Sequence, residues 1–157
     1  MERVNRIWRH PIFQEHYQNL LIEESNRIFC RHSLEHLLDV ARLMYIRNLE
    51  EGAELPKHLI YGAALIHDIG RFIQNDKGIP HNEAGADIAE VILPECGYSE
   101  AESVLIAEAV REHRRGSDST LGKYLYDADK QSRCCFSCDA RKECNWPDEK
   151  KNLKITE

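Results

Sequence analysis

The residues best suited to chemistry are a histidine and an aspartate that stand side by side at the end of an apolar stretch. His67 and Asp68 follow residues 63–66 (Ala-Ala-Leu-Ile) and precede Gly70 and Arg71. An imidazole and a carboxylate at the end of a buried helix are costly unless a partner satisfies both groups. A divalent metal ion would do so, because both groups are good ligands for first-row ions. An isolated pair of this kind is more often a satisfied core histidine beside a surface aspartate, so the interpretation depends on further ligands.

Further candidate ligands are spread along the chain. His32 lies where one predicted helix gives way to the next, His81 follows a loop, and His113 ends a helix. Asp127 and Asp129 lie within a later helix, where they point about 200° apart, so only one of them can face a given site. Ligands contributed by several helix ends are what a metal site inside a helical bundle needs.

The elements that must position these residues are helices. Nearly every segment has apolar residues at helical spacing, and no run alternates as a half-buried strand would. Ser99 and Glu102 form a capping-box pattern, Pro56 suits the first turn of a helix, and Asn82 is a candidate cap. The predicted fold is all-α, a compact bundle of five or more helices, over residues 11–29, from about 34 to 48, 56–67, from 82 to about 94, 99–113 and from about 119 to 128.

Length, charge and hydropathy limit the class of protein. The chain has 157 residues and a formal charge of −6, so one domain with a substantial core is expected, and non-specific nucleic-acid binding is not. There is no run of about 18 apolar residues to span a membrane and no apolar N-terminal stretch typical of a secretory signal. We therefore expect a cytoplasmic protein whose six cysteines are reduced or bound to metal.

Taken together, the candidate ligands resemble the pattern of HD-domain metal-dependent phosphohydrolases. The matching stretches are His32-Ser33-Leu34-Glu35-His36, Leu65-Ile66-His67-Asp68-Ile69-Gly70-Arg71, Pro80-His81, Glu112-His113-Arg114 and Asp127-Ala128-Asp129-Lys130. The resemblance covers roughly residues 10–133, and order, spacing and helical context agree. It is similar to the small bacterial members that hydrolyse nucleotides, including those acting on dinucleoside tetraphosphates.

The resemblance implies a set of metal ligands. In members with one ion, the first histidine, the His-Asp doublet and the last aspartate bind it. Members with two ions add two histidines from the middle of the chain, and we favour two ions with Asp68 bridging them. Asp129 fits the family's Ala-Asp-Lys stretch better than Asp127 does. The implied cofactor is one or two divalent transition-metal ions (Fe, Mn, Zn, Ni or Co), and the implied ligands are His32, His67, Asp68, His81, His113 and Asp129.

The resemblance also implies the reaction. A metal-bound hydroxide would attack the phosphorus of a phosphate ester or anhydride, and a nucleotide is the expected small-molecule substrate. Asp68 and Arg71 would be catalytic, since the arginine follows the doublet by one turn and a guanidinium suits phosphate. The further candidates for phosphate contact, each of which could equally be a solvated charge, are Arg114, Lys130 and Arg133. His36 could support His32 from outside the ligand set, and His10, His16 and His58 are expected to be surface or interface residues.

Two other functions remain open at the level of the sequence. A minority of relatives with the same fold use two irons as oxygenases, and the ligand set does not distinguish them. A nucleotide-binding or regulatory module without turnover is the other alternative, although an intact ligand set weakens it.

The C-terminal segment departs from the simplest family members. Residues 1–133 are predicted to form the HD-type hydrolase domain, and residues 134–157 a cysteine-bearing extension packed on the same domain. Cys135 and Cys138 have the spacing of metal ligands, and Cys144 could add a third thiolate. Reduced cysteines that pack the extension against the bundle are the favoured interpretation.

Overall fold

The computed structural model describes residues 1–155, and within them all regular structure is helical. The all-α prediction is therefore confirmed. Eight α-helices are followed by two short 3-10 helices at Cys135–Ser137 and Asp148–Lys150. The α-helices are α1 (Glu2–Arg9), α2 (Pro11–Glu23), α3 (Leu34–Glu50), α4 (Lys57–Ile66), α5 (Arg71–Lys77), α6 (His81–Glu95), α7 (Glu100–Glu112) and α8 (Thr120–Gln131).

The helix predicted over residues 11–29 is shorter than expected. It ends at Glu23, and residues 24–33 form an irregular connection. Side chains satisfy several of the backbone groups in this connection. Arg27 Nε donates to the Cys30 carbonyl, Arg31 NH2 donates to the Ser25 carbonyl, and a Glu24 carboxylate oxygen accepts from the His32 amide. Ile28, which extended the apolar pattern, is 67% exposed.

Two helices were not expected from the sequence. α1 buries only Val4 and Ile7, and α5 has seven residues, none of them buried, so neither shows a long apolar face. A correction also applies to α6, which begins at His81 with Pro80 before it. Asn82 is not the cap of this helix, because it is buried within the first turn and its amide donates to the Arg111 carbonyl.

Helix α4 lies at the centre of the bundle. Seven of its ten residues are buried, and it contacts α1, α3, α6, α7 and α8. Such a helix needs small residues where neighbours approach, and the closest approach comes just after its end. A Cβ on Gly70 would lie 2.3 Å from the His81 carbonyl oxygen and 2.6 Å from the Gly85 amide nitrogen. Glycine at this position therefore lets α6 start directly beside the His-Asp doublet.

The predicted capping box is confirmed at the start of α7, where the Ser99 hydroxyl and the Glu102 side chain each bind the other residue's backbone amide.

The C-terminal segment, residues 134–155, follows α8, and Cys135 and Ala140 of this segment are buried. Among the described residues, no helix is long and apolar enough to cross a membrane.

Candidate metal centre

The carboxylate of Asp68 is the centre of the site. It lies in the turn between α4 and α5 and is fully buried. Its Oδ1 accepts a hydrogen bond of 2.8 Å from Arg71 Nε, while its Oδ2 has no hydrogen-bond partner among the described residues. Its two oxygens face two different groups of histidines.

The first group contains His36, His67, Asp68 and Asp129, whose ligand atoms all lie within 4.8 Å of one another. Asp68 Oδ2 is 3.1 Å from His67 Nε2 and 3.5 Å from His36 Nε2. Asp129 Oδ1 is 3.7 Å and 3.5 Å from the same two nitrogens. These side chains come from α3, from the end of α4 and from α8.

The second group shares Asp68 with His81 and His113. Asp68 Oδ1 lies 3.4 Å from His81 Nε2 and 3.9 Å from His113 Nε2. The two imidazole Nε2 atoms are 3.2 Å apart. His81 opens α6 and His113 directly follows α7, so two helix ends bring the predicted pair of histidines together.

Three of these imidazoles, those of His67, His81 and His113, are oriented through their Nδ1 nitrogen. His67 Nδ1 donates to the Ala64 carbonyl at 2.7 Å, and His113 Nδ1 donates to the Val110 carbonyl at 2.6 Å. His81 Nδ1 lies 2.7 Å from the side-chain carbonyl oxygen of Gln74. An Nδ1 that donates leaves the Nε2 lone pair pointing at the centre, which is how metal-binding histidines are held in proteins.

The sequence predicts His32 as a metal ligand and His36 as its support, whereas the structure places His36 in the ligand group. His36 belongs to the tighter group, whereas His32 Nε2 lies 3.6 Å from Asp68 Oδ2 and its Nδ1 is 2.5 Å from a carboxylate oxygen of the buried Glu24. The signal for His36 was its spacing, because it shares the buried face of α3 with Val40 and Met44 at intervals of four. His32 lies before that helix begins.

Burial keeps three of the histidines neutral. It lowers the pKa of His32 to about 4. Burial and, after it, the charge of Arg71 lower the pKa of His81 to about 3, and burial followed by the charge of His67 lowers the pKa of His113 to about 4. Neutral imidazole is the form that binds a metal ion.

At His67 and Asp68, the neighbouring charges outweigh burial in setting the pKa values. Burial opposes the charged form of His67, yet the carboxylates of Asp68 and Asp129 raise its pKa to about 9. Burial likewise opposes ionisation of Asp68, but His67 and Arg71 hold the pKa of its carboxyl well below the usual range. In the metal-free centre both carboxylates are therefore ionised and hold a proton on His67, and a bound metal ion would displace that proton.

The donor set fits a divalent metal ion. His67 Nε2 and Asp68 Oδ2 are both buried and lack a hydrogen bond, although they lie 3.1 Å apart. Buried polar atoms without partners are rare, and an ion is one of the standard explanations for them. Imidazole nitrogens with carboxylate oxygens suit first-row transition metals.

Comparison with known proteins places the chain in a family. The family model for the HD domain matches residues 33–134, more than half of the chain. The chain belongs to the HD-domain superfamily. A Clostridium beijerinckii protein of unassigned function is 43% identical over 132 residues, which are 84% of each chain. A solved structure described as a predicted HD superfamily hydrolase from an uncultured Thermotogales bacterium superimposes with a TM-score of 0.68, over 90% of this chain and 80% of that one, at 23% identity, and so supports the fold.

The family match bears on the first ligand of this HD domain. The matched residues begin at Ser33, so they include His36 and leave out His32. The match also includes the doublet and the other expected ligands. His36 is therefore the histidine of α3 that belongs both to the matched region and to the compact group of ligand atoms.

The two candidate aspartates of α8 are distinguished by the residues that they contact. Asp129 lies in the first ligand group, whereas Asp127 forms an ion pair with Arg47 on another side of α8. The remaining histidines of the HD domain lie elsewhere. His10 pairs with Glu95, and His58 contacts Arg3 and Glu102.

The four basic residues expected to contact phosphate differ in their surroundings. Arg71 is 23% exposed beside Asp68, and Arg114 is exposed at the mouth of a cavity of about 590 Å³ that His81 and His113 also line. Lys130 lines the same cavity, and its Nζ lies over the Tyr126 ring. Arg133 is buried instead, and its NH2 contacts Asp129 Oδ1 at 2.8 Å and His36 Nε2 at 3.2 Å. Its guanidinium is engaged with the ligand group.

The cysteines of the C-terminal segment do not form a second metal cluster. All six cysteines are free, and within residues 1–155 the only groups of three or more close ligand atoms are the two described above. An additional metal site at Cys135, Cys138 and Cys144, the less favoured interpretation of the sequence, therefore lacks the required geometry. Cys135 is buried, while Cys138 and Cys144 are partly exposed.

Proposed function

We propose that this HD domain is a metal-dependent phosphohydrolase that cleaves a phosphate ester or anhydride of a nucleotide. The observation that carries the proposal is the shared carboxylate of Asp68, with one oxygen toward His36 and His67 and the other toward His81 and His113. Such an arrangement is suited to two ions side by side, and paired ions are typical of enzymes that displace a group at phosphorus. We name Fe, Mn, Zn, Ni and Co as the candidate metals.

The proposed roles of the side chains follow from their positions. His36, His67 and Asp129 would hold one ion, His81 and His113 the other, and Asp68 both, with His32 beside the first. When bound, the ions would supply an activated water and positive charge for the non-bridging phosphate oxygens. Glu24 fixes the His32 ring through its Nδ1.

Arg71 is the proposed electrostatic partner of the reacting phosphate. Its Nε is held by Asp68, which orients the guanidinium, and the side chain lines both cavities next to the ligands. A planar fork with fixed donors stabilises charge that develops on phosphate oxygens without reorganisation. Arg114 and Lys130 extend the positive charge along the larger cavity, in a chain whose overall charge is −6.

The experiment is a screen of the metal-reconstituted protein. Protein loaded separately with each candidate metal would be assayed for phosphate release from nucleoside mono-, di- and triphosphates, dinucleoside polyphosphates and simple phosphate esters. We expect hydrolysis that is lost in His67→Ala and Asp68→Ala, together with bound metal, while the helical circular-dichroism signal persists. His10→Ala is the matched control and should be fully active, because His10 pairs with Glu95 at the end of α6 opposite His81.

Three results would refute the proposal. Full activity in either doublet variant would separate hydrolysis from the metal centre. Metal-loaded protein that releases no phosphate from any compound but consumes oxygen would point to the di-iron oxygenase chemistry instead. Binding of nucleotides without turnover in any metal form would favour a regulatory module.

A further inference from the structure

We propose that the C-terminal segment, residues 134–155, completes the substrate site and that Trp146 stacks on a planar ring of the substrate. This inference rests on the proposed function, because it concerns the substrate of the same centre. It assigns a specificity-determining residue to a segment of the chain that lies outside the metal ligands and beyond the end of the matched family region.

Trp146 lines both cavities that lie next to the candidate metal ligands. One cavity, of about 300 Å³, is lined by His32, Arg71, Asp129 and Trp146, among others. The larger cavity, of about 590 Å³, is lined by Arg71, Asp129 and Trp146 as well. The indole is partly exposed, so it presents surface to a ligand that occupies either cavity next to Arg71.

The segment that carries Trp146 is fixed at both of its ends. Near its start Cys135 and Ala140 are buried against the bundle. Near its end the Asn152 side-chain nitrogen lies 2.7 Å from the Lys130 carbonyl oxygen, 3.0 Å from that of Gln131 and 2.9 Å from that of Arg133. Carbonyls at a helix C-terminus need such partners. The segment therefore leaves the end of α8, passes the metal centre and returns to the same helix end.

The walls of the two cavities differ in chemistry. The smaller cavity adds the ring of Phe29 and the thiols of Cys30, Cys135 and Cys144 to the indole. Cysteine side chains pack as small apolar groups, so this side adds aromatic and apolar surface for a flat ring. A nucleobase or another aromatic group matches it, since aromatic side chains bind bases by stacking.

Basic side chains line both cavities, with Arg27, Arg71 and Arg133 at the smaller one and four basic residues at the larger one. Arg114, Lys130 and Lys150 line it together with Arg71, and this positive charge suits a chain of phosphates. A substrate with an aromatic ring on one side of the metal ligands and phosphates on the other fits both cavities. The predicted substrate class is therefore an aromatic nucleoside polyphosphate, with Trp146 selecting for the ring.

The test compares ATP with inorganic tripolyphosphate, which has the phosphates but no ring. We expect Trp146→Ala to lower the ratio of kcat/KM for ATP to kcat/KM for tripolyphosphate by about tenfold to a hundredfold, the usual effect of losing one stacked base. Trp146→Phe should recover part of the ratio. Phe136→Ala is the matched control, because Phe136 is an exposed aromatic of the same segment that lines a groove away from Arg71, and it should leave the ratio unchanged.

A second measurement does not depend on turnover. The protein has two tryptophans, and Trp8 packs against Phe13 and Tyr17 in the N-terminal part of the bundle. In zinc-loaded protein, ATP should quench tryptophan fluorescence and tripolyphosphate should not. The quench should persist in Trp8→Phe and disappear in Trp146→Phe.

The outcomes separate this inference from the proposed function. An unchanged ratio in Trp146→Ala, or equal quenching in the wild type and Trp146→Phe, overturns the stacking role while hydrolysis stands. If the wild type hydrolyses neither compound, the proposed function fails for them, and the quench still decides whether Trp146 binds a ring. Hydrolysis of tripolyphosphate alone, without quenching by ATP, would also overturn the inference.

Discussion

Replacing Gly70 with alanine would place a methyl group against the backbone of α6. The new Cβ would lie 2.3 Å from the His81 carbonyl oxygen and 2.6 Å from the Gly85 amide nitrogen. Ordinary contact needs about 1 Å more, and neither partner is a flexible side-chain end that could move aside. The start of α6, and with it His81, must shift away from Asp68.

This contact decides whether Gly70→Ala raises or lowers the free energy of unfolding. Gly70 has a φ of −78°, which alanine adopts freely, so an unobstructed substitution would raise the free energy of unfolding by about 0.4–1 kcal/mol. Insertion of a methyl group into a closed contact instead costs about 3 kcal/mol, the upper part of the usual range for overpacking. For a chain of this size, that corresponds to a Tm lower by about 6–12 °C.

Urea and thermal unfolding of metal-free protein measure this change, and elemental analysis of metal-loaded protein reports on the site. We expect the variant to lose metal from the His81 and His113 side first, because His81 moves with α6. Gly52→Ala is the matched control, since Gly52 has no neighbour within 4 Å and a φ of +62°, so that only the backbone cost of about 1 kcal/mol applies. A Gly70→Ala protein as stable as the wild type would refute the close approach of α6 to the doublet.

Three further predictions test the site and its scaffold. His81→Ala and His113→Ala should each lower the metal content measured by elemental analysis from about two ions per chain towards one, as expected for a paired-ion site. One ion per chain in the wild type and in both variants would show that His81 and His113 do not bind a second ion. Arg71→Ala should lower kcat/KM about a hundredfold with metal content unchanged, and Arg71→Lys should recover only part of it, because a point charge replaces a planar fork. Hydrogen bonding from the Ser99 amide and from His58 lowers the pKa of Glu102 to about 2 from its ordinary value of 4.5. The stability contributed by this carboxylate is therefore present above about pH 4.5 and is lost as the pH falls towards 2. Acid unfolding of Glu102→Gln should accordingly show a weaker pH dependence in that range, and an unchanged profile would contradict the assignment.

Most residues of the candidate site could be predicted from the sequence, because each stands at a helix boundary that leaves its own signal. His67 and Asp68 end the most apolar helix, His81 follows a loop ending in proline, and His113 ends a helix opened by a capping box. Asp129 was preferred over Asp127 through the resemblance, and the ion pair of Asp127 with Arg47 is a contact between distant residues that helical geometry could not reveal.

The parts that could not be predicted depend on contacts made by polar side chains. The early end of α2 follows from Glu24, whose carboxylate binds both the amide and the ring of His32. This contact draws residues 24–33 out of the helical path and sets His32 beside the ligand group. A pattern of apolar residues contains no information about such a bond, so it predicts neither the early end of α2 nor the contact of Glu24 with His32.

The position of Asp68 explains why one short turn can serve two groups of ligands. The chain leaves α4 at Ile66 and enters α5 at Arg71, so the carboxylate projects from a turn at which α3, α6 and α8 all approach. Burial alone would favour a neutral carboxyl group, but Arg71 on one oxygen and His67 near the other keep it ionised. An ionised carboxylate with one oxygen on each side is the shape that a bridging ligand requires. The same arginine lines both cavities, so the residue that keeps Asp68 charged is also the one that we propose contacts the substrate.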